Sequence, residues 1–372
     1  MKVHGRSELR VGYVTDTDGF HRLASDWRSL AGRSIRATVF QSYDWNAVWW
    51  RHFGEKTSRR LRIVTFHDDA GALIGLAPFY TSFYYATPLK RLSFIGLGAS
   101  DYLDVIAPEE QREAVLGALD DALLGADGWQ IADLQQLREG GIIREMADGP
   151  LRAAESIGEP CPYISLPQTW PDFLATLGKK TRSNIGYYER SLHKMFDVRI
   201  GWVTEADQLD AEMTSLFNLH QRRWNKRWLP GVFGSPKTQL FHRDVARALL
   251  EQGHLRLFRV ALDGETQAAL YCFSFGDRVS YYQGGFEPTL SRLSLGTILT
   301  ATAVRTAIEE GKTVFDFLRG DEEYKAKWTS LSKHNTRRIA VRTPLLRPLA
   351  SGARAVEHVI ETRAKKLARR FR

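Results

Sequence analysis

The sequence predicts a mixed α/β protein of two domains with similar plans, followed by a short basic tail. Three observations favour this architecture. The chain has 372 residues, more than one ordinary core organises, since domains commonly hold about 100–200 residues. Hydrophobic residues make up 43% and charged residues 26%, which is typical of a globular protein rather than a disordered one. One series of predicted strands and helices also occurs twice along the chain.

The first series lies within residues 1–158. Turn residues separate its strands, and its helix begins with Pro-Glu-Glu, places apolar residues at helical spacing and ends in glycine. The predicted elements are strands 60–69, 71–85 and 89–98, helix 108–128 and strand 129–137. Trp45, Trp49 and Trp50 recur at helical spacing, and we expect them in the core rather than in a sugar-stacking platform.

The second series occupies residues 159–343. Four prolines between Ile157 and Pro171 interrupt regular structure and predict the boundary between the domains. The predicted elements are strand 196–204, helices 206–224 and 235–253, a three-stranded meander over 254–288, helix 295–312 and strand 313–320.

The net charge of +9 lies almost entirely at the end of the chain. Eleven basic and two acidic residues follow position 336, and the residues before it are balanced. A neutral body argues against nucleic acid as a partner. Residues 344–372 predict a basic amphipathic helix, which can lie on an anionic membrane surface, bind a nucleotide second messenger through its arginines, or remain simply solvated.

The sequence has two cysteines and shows no signal peptide. Cys161 and Cys272 cannot form a disulfide framework, and no Cys/His cluster has metal-ligand spacing, so we expect no metal. The N-terminal residues lack the apolar segment of a signal peptide, and no apolar run is long enough to span a bilayer. These observations predict a cytoplasmic protein, peripheral on the inner face of the membrane if the tail binds lipid.

Several motifs occur together in one order along residues 40–330. They are FQSYDWNAVWWRHF at 40–53, GASDYLDV at 98–105, KKTRSNIGYYERSL at 179–192, LHQRRWNKR at 219–227 and the block from Tyr281 to Trp328. This arrangement resembles the GNAT acetyltransferase superfamily, and more narrowly the CelD/BcsL-type acetyltransferases of extracellular polysaccharide synthesis. The resemblance implies two tandem GNAT-like domains with the plan of the FemABX peptidyl transferases, and the basic C-terminal helix lies outside it.

The resemblance also implies acetyl-CoA as acyl donor, bound at the N-terminus of the helix that begins near residue 295. The peptide amides of Ser294, Leu295, Gly296, Thr297 and Ile298 are the candidate binding groups, because free amides at a helix N-terminus attract phosphate. Of the family's Arg/Gln-x-x-Gly-x-Gly/Ala loop, the aligned residues 291–296 keep only the last glycine. FemABX-type relatives use aminoacyl-tRNA, so that donor stays open.

The segment from Asp316 to Trp328 offers the residue types that acyl transfer needs: a base, a proton donor and a cation. Asp321 or Glu322 could serve as the base, directly or through water, and Asp321 is the one we favour. We predict Tyr324 as the acid that protonates the leaving thiolate and Lys325 as the stabiliser of an oxyanion or phosphate. Arg319 is a candidate for positioning the substrate. The alternative is that the acidic residues cap a helix and the lysines are solvated.

The acceptor side is predicted from two further regions. Asp101, Tyr102 and Asp104 follow a glycine-rich strand end, with Asp104 as a second candidate base, although a turn with a packed tyrosine is the alternative. Arg182 and Arg227 belong to basic stretches that could clamp a phosphorylated sugar acceptor, nucleotide-linked or lipid-linked.

These residues predict an N- or O-acyltransferase, acetyl-CoA-dependent, acting on a sugar precursor of an exported polysaccharide or envelope polymer. FemABX-like aminoacyl transfer is the alternative within enzymes. A third hypothesis is a non-catalytic GNAT scaffold that brings its basic tail to a membrane or to a nucleotide second messenger.

Overall fold

The computed structural model describes residues 9–85, 87–146, 153–225, 231–346 and 348. The α-helices of these residues are α1 (Thr17–Arg22), α2 (Ala24–Arg33), α3 (Tyr43–Trp49), α4 (Arg112–Gly125), α5 (Ile142–Glu145), α6 (Trp170–Thr176), α7 (Lys179–Met195), α8 (Ala206–Asn225), α9 (Pro236–Glu251) and α10 (Leu295–Glu309). The strands are β1 (Arg10–Val14), β2 (Arg60–His67), β3 (Leu73–Phe83), β4 (Lys90–Phe94), β5 (Ile131–Leu137), β6 (Ala153–Ser165), β7 (Val198–Trp202), β8 (Leu255–Leu262), β9 (Glu265–Phe275), β10 (Arg278–Phe286), β11 (Val314–Asp316) and β12 (Ser332–Val341).

The described residues form two compact units. The first unit contains the residues up to Glu159 together with those from His334 onwards, and the second contains Pro160–Lys333. The sequence instead assigns everything from 159 to 343 to one domain. The difference is β12, which returns to the first unit and pairs antiparallel with β5.

Both units repeat one strand order. The first unit runs β1-β2-β3-β4-β5-β12 and the second runs β7-β8-β9-β10-β11-β6 in the corresponding direction. In each unit the first four strands pair antiparallel, the fifth pairs parallel with the fourth, and a single helix, α4 or α10, connects those two. The two domains of similar plan that the sequence predicts are therefore present, each as a mixed α/β unit.

The cores form where these helices cover the sheets. In the second unit Ala303, Val304 and Ala307 of α10 belong to the same buried cluster as Leu270 and Cys272 of β9. Burial raises the pKa of the Cys272 thiol well above its usual range, so it stays protonated.

The tryptophans of α3 lie in the core of the first unit. Trp45, Trp49 and Trp50 are buried, as their helical spacing predicts, and the indole N–H of Trp45 donates to Ser100 Oγ at 2.7 Å. This bond replaces the one that the buried Trp45 indole would make to water, whereas the buried indole N–H of Trp50 has no hydrogen-bond partner among the described residues.

The proline-rich segment is a strand and not the predicted interruption. β6 runs through Pro160 and Pro162, which lack an N–H but keep their carbonyls. Those carbonyls accept hydrogen bonds from the amides of Gly320 and Phe317, both at 2.9 Å. The prolines therefore occupy positions where the strand accepts a hydrogen bond through its carbonyl and does not need to donate one.

Two buried histidines lie near one another inside the second unit, and the sequence does not indicate this pair. His220 of α8 and His242 of α9 are both buried, and their rings contact Phe233 at centroid distances of 4.8 and 5.1 Å. The ring of His242 also contacts Tyr282 at 5.3 Å. Burial, followed by the nearby His220, lowers the pKa of His242 to about 3.

This low pKa predicts acid-sensitive folding. The unfolded chain takes up a proton at His242 below its ordinary pKa of 6.5, whereas the folded chain does not until about 3. The free energy of unfolding should therefore fall by roughly 2 kcal/mol through this group between about pH 7 and about pH 5. Urea denaturation across that range should show a flatter pH dependence in His242→Phe than in the wild type. The exposed control His193→Gln should keep the wild-type slope, and an unchanged slope in His242→Phe would assign the effect to other groups.

Candidate active site

The N-terminus of α10 is shaped by an unusual backbone conformation. Ser294 precedes the helix with φ +54°, in the left-handed region, and its carbonyl accepts hydrogen bonds from the amides of Thr297 at 2.9 Å and Ile298 at 3.2 Å. Its hydroxyl makes no capping bond, so the helix begins without the side-chain cap that a serine here suggests.

Only part of the predicted amide set is available to a ligand. The amides of Ser294, Thr297 and Ile298 donate to backbone carbonyls. Those of Leu295 and Gly296 have no hydrogen-bond partner in the part of the chain that the structure describes. A Cβ added to Gly296 would meet its nearest neighbour, Phe286, at an ordinary 3.6 Å, so the glycine leaves open space beside these two amides.

A cavity of about 260 Å³ opens at this helix end, and we name it the α10 cavity. It lies within the second unit, and its walls come from β9, β10, the start of α10 and the segment after β11. The lining residues are Ala269, Leu270, Tyr281, Gly284, Gly285, Phe286, Ser291, Ser294, Leu295, Gly296, Thr297, Leu299, Thr300, Tyr324, Lys327 and Trp328. The predicted helix start and the predicted Tyr324 therefore face one space.

The cavity exists because β10 and β11 pair only briefly. Their parallel register runs from Arg278 opposite Val314 to Ser280 opposite Asp316. Directly afterwards β10 changes its register with β9 between Tyr281 and Gln283, as a β-bulge does. Beyond Ser280, β10 therefore continues without pairing to β11, next to residues that line the cavity.

The loop after β11 is held by buried polar contacts. The Asp316 carboxylate pairs with Arg278 at 3.0 Å and accepts a hydrogen bond from the amide of Leu318 at 2.8 Å. Leu318 has φ +56°, so the chain turns sharply here, away from an extended strand. The strand predicted over 313–320 accordingly ends at Asp316.

Lys325 stabilises the loop after β11 by binding its backbone carbonyls. Its side chain is buried, and Nζ donates to the carbonyls of Leu318, Arg319 and Gly320 at 3.2, 3.0 and 3.3 Å and pairs with Glu322 at 2.9 Å. An ammonium has three donor hydrogens, and these contacts occupy them. Lys325 does not line the α10 cavity. The geometry gives Lys325 a structural role, and its predicted oxyanion stabilisation stays a prediction.

The other predicted residues of this segment separate into two groups. Tyr324 lines the cavity, and its ring lies 6.1 Å from that of Tyr281. Asp321 is exposed, Arg319 is half-buried, and neither lines the cavity. Lys327, which its sequence context suggests is merely solvated, does line it.

Asp104 is tied to the backbone of the first unit. Its carboxylate accepts hydrogen bonds from the amides of Ile142, Ile143 and Val105 at 2.6, 3.0 and 2.8 Å, which fixes the start of α5. Burial raises the pKa of the Asp104 carboxyl, and these three amides oppose the rise. This arrangement favours a capping role over the predicted role as a second base.

The remaining acceptor-side predictions are scattered. Asp101 and Tyr102 are buried in the first unit, Tyr102 with φ +57°. Arg182 lies on α7 and does not line the α10 cavity. Arg227 lies outside the described residues. An acceptor role for these four residues stays a prediction.

In the first unit, the helix N-terminus that corresponds to the start of α10 has carboxylates beside it. α4 occupies the position that α10 has in the second unit, but the turn before it carries Glu109 and Glu110. Glu109 pairs with Arg36 at 2.9 Å. Carboxylates at a helix N-terminus satisfy its positive end and repel a phosphate.

Comparisons with known proteins agree with this geometry. Residues 179–326 match the profile of the family described as "Acetyltransferase (GNAT) domain", and this segment includes α10 and the loop with Tyr324. No curated protein sequence matches. FemX superposes with a TM-score of 0.64 at 12% identity, covering 91% of this chain and 99% of FemX.

Two further solved structures share the fold. A conserved protein of unknown function from Bacteroides thetaiotaomicron gives a TM-score of 0.57 at 9% identity, covering 89% of this chain and 100% of its own. The C-terminal domain of a protein described as a putative lysylphosphatidylglycerol synthetase, from Agrobacterium fabrum, gives 0.53 at 11% identity, covering 91% and 96%. At these identities the likeness concerns architecture alone, and it supports a two-domain GNAT-like fold. The narrower CelD/BcsL resemblance finds no match among them.

The burial of Lys325 leads to a test that separates structure from chemistry. Lys325→Met keeps the length of the side chain and removes its charge, leaving three carbonyls and Glu322 without their partner. We expect the free energy of unfolding to fall by about 2–4 kcal/mol, measured by urea denaturation. Asp321→Ala and the exposed control Lys194→Met should each change it by less than about 0.5 kcal/mol. Full stability with lost activity in Lys325→Met would instead restore the predicted chemical role.

Proposed function

We propose that this chain, whose residues 179–326 carry a GNAT acyltransferase domain, transfers an acyl group from acetyl-CoA to a sugar precursor of an exported polysaccharide or envelope polymer. One observation carries the donor half of the proposal. The start of α10 and the residues Tyr324, Lys327 and Trp328, remote from it in sequence, line one cavity. CoA requires hydrogen-bond donors for its diphosphate and a proton donor near its thiol.

The electrostatics of the α10 cavity favour an anionic donor. Its lining includes Leu295 and Gly296, at the positive end of a helix, and the exposed Lys327, and no lining residue in the described part of the chain is a carboxylate. Helix N-termini and lysines both attract phosphate groups. The apolar part of the lining, with Leu270, Leu299 and Trp328, suits the uncharged pantetheine arm and acyl group.

The proposed reaction is a direct transfer between two bound substrates. The acceptor nitrogen or oxygen attacks the thioester carbonyl, a new C–N or C–O bond forms, and the C–S bond breaks. The acceptor loses one proton and the departing thiolate gains one. Tyr281, Tyr324 and Lys327 line the cavity and carry protons that could pass to the thiolate. We assign this role to Tyr324, and the resulting tyrosinate recovers its proton from solvent.

The acceptor rests on the resemblance to polysaccharide-linked acetyltransferases. FemABX-like aminoacyl transfer stays the alternative, since FemX shares the fold across nearly its whole length. A non-catalytic scaffold that presents its tail to a membrane or a nucleotide second messenger is the other alternative. Of the predicted tail, residues 347 and 349–372 lie outside the described residues.

Calorimetry with CoA and assays of product formation distinguish these functions. Binding of CoA together with thiol release from acetyl-CoA in the presence of amino sugars supports the proposal. Product formation that requires charged tRNA would establish the aminoacyl alternative. No heat of CoA binding at high protein concentration, with no transfer from either donor, would leave the scaffold.

Gly296→Ala tests the helix N-terminus as the donor site. The added methyl group meets no protein atom closer than 3.6 Å, so stability should be unchanged or slightly higher, while the methyl occupies the space beside the free amides. We expect CoA affinity to fall about tenfold or more by calorimetry. Lys327→Ala should lower it by a factor of roughly 5–10, and the exposed control Lys194→Ala should leave it unchanged. Wild-type affinity in both cavity variants would place the donor elsewhere.

Tyr324→Phe tests the proton donor. The substitution keeps the ring that packs beside Tyr281 and removes only the hydroxyl. We expect kcat for acetyl transfer to fall by about 10²–10⁴ with little change in the KM for acetyl-CoA, because the hydroxyl acts on the leaving group in the transition state. Steady-state assays of thiol release measure both constants. An unchanged kcat under conditions where chemistry limits turnover would rule out this role.

A further inference from the structure

The turn between β3 and β4 exposes aromatic side chains at one end of the first unit's sheet. Phe83, the last residue of β3, is 46% exposed, and so is Tyr85. Lys90, opposite Phe83 across the pair, holds its ammonium 3.2 Å from the centroid of the Phe83 ring. Two large rings and a cation thus lie together at the surface.

Tyr84 anchors this turn to the fold. Its side chain is buried in a small cluster with Ile131 of β5 and with Ile339 and Val341 of β12. The turn is also closed by hydrogen bonds, with the Tyr84 amide donating to the Leu89 carbonyl at 2.8 Å. The exposed rings are therefore presented by a fixed turn and not by a loose loop.

The last described residues reach the buried cluster of this turn. Leu346 packs against the cluster that contains Tyr84, and its neighbour Leu345 is 85% exposed. From Arg347 onwards the sequence holds eight basic and two acidic residues. The basic tail therefore follows in sequence directly after a residue that contacts the Tyr84 cluster.

Further cations lie at this end of the sheet. β2 begins at the exposed Arg60, which pairs with Thr81 two residues before Phe83, and the exposed Lys56 precedes it. Acidic residues in the adjoining turns are Glu55 and Asp127. We name the surface formed by Phe83, Tyr85, Lys90 and Arg60 the aromatic edge.

We propose that the aromatic edge docks the protein on an anionic lipid bilayer. Aromatic rings with a polar rim are suited to the headgroup region, where one end of the ring is apolar and the other is wet. Cations around them complement the negative charge of the leaflet, at about 1 kcal/mol each. The sequence of the tail adds positive charge, and stable peripheral attachment commonly takes two such signals.

This attachment concerns the first unit, whereas the α10 cavity belongs to the second. The proposal therefore stands independently of the proposed acyl transfer, and its test needs no substrate. Among the described residues, no helix is both long and apolar enough to cross a membrane.

Co-sedimentation of the full-length protein with vesicles tests the proposal. Binding should be strong to equal parts phosphatidylcholine and phosphatidylglycerol, weak to phosphatidylcholine alone, and reduced by salt. The double variant Phe83→Ser/Tyr85→Ser should bind the anionic vesicles roughly tenfold more weakly or worse. The matched control Tyr187→Ser/Met195→Ser alters residues of α7 that are 60% and 50% exposed and should bind as the wild type does.

A charge variant adds a second arm. Arg60→Glu/Lys90→Glu should weaken binding to anionic vesicles and reduce its salt dependence, with urea midpoints near the wild-type value showing that the variants fold. Equal binding to neutral and anionic vesicles, or no vesicle binding at all, would overturn the proposal. So would wild-type binding by the Phe83/Tyr85 variant while Arg369→Glu/Arg370→Glu abolishes it, since the tail would then act alone.

Discussion

The separation of β10 from β11 beyond Ser280 is the constraint on which the candidate site depends. After Asp316 the amides of Phe317 and Gly320 donate to carbonyls of β6, so the chain stays bonded on that side while its pairing with β10 ends. The loop that follows is held by the Lys325 ammonium, which donates to three backbone carbonyls. The buried cation is balanced by Glu322, and Tyr324 and Lys327 on either side of it are thereby carried to the cavity wall.

The repeated plan makes the asymmetry between the units informative. Both use one helix to connect the fourth strand to the parallel fifth, so both could in principle offer a helix N-terminus to an anion. In the first unit Glu109 occupies that end and is itself neutralised by Arg36. In the second, a left-handed serine and a glycine leave two amides open. The two units thus share a topology but differ in the charge at this helix N-terminus. Of the two described helix N-termini, the one in the second unit suits a diphosphate.

Sequence patterns predict the repeated α/β plan, the start of α10 and the buried tryptophans, because these follow from local periodicity and helix-ending residues. They fail where a polar or charged residue, which is usually exposed, is buried by the fold. A lysine close in sequence to Glu322 and Glu323 is expected to be solvated or catalytic. Lys325 is instead buried, and its ammonium donates to three backbone carbonyls of nearby residues. Asp104 bonds amides about forty residues away, and His220 meets His242 through helix packing. β12 escapes prediction because its pairing with β5 is distant in sequence.

The lining of the α10 cavity also bears on which acceptor atom is acylated. A hydroxyl must lose its proton as it attacks, and therefore requires a base, whereas an amine with a free lone pair can attack first and lose its proton afterwards. No residue lining the cavity is a carboxylate, and the sequence-predicted base Asp321 is exposed. An amine acceptor would therefore require less of the described lining residues than a hydroxyl acceptor, because its proton can leave to solvent after the attack. Transfer to oxygen would require Asp321, or a base supplied with the acceptor, to approach the reacting carbonyl.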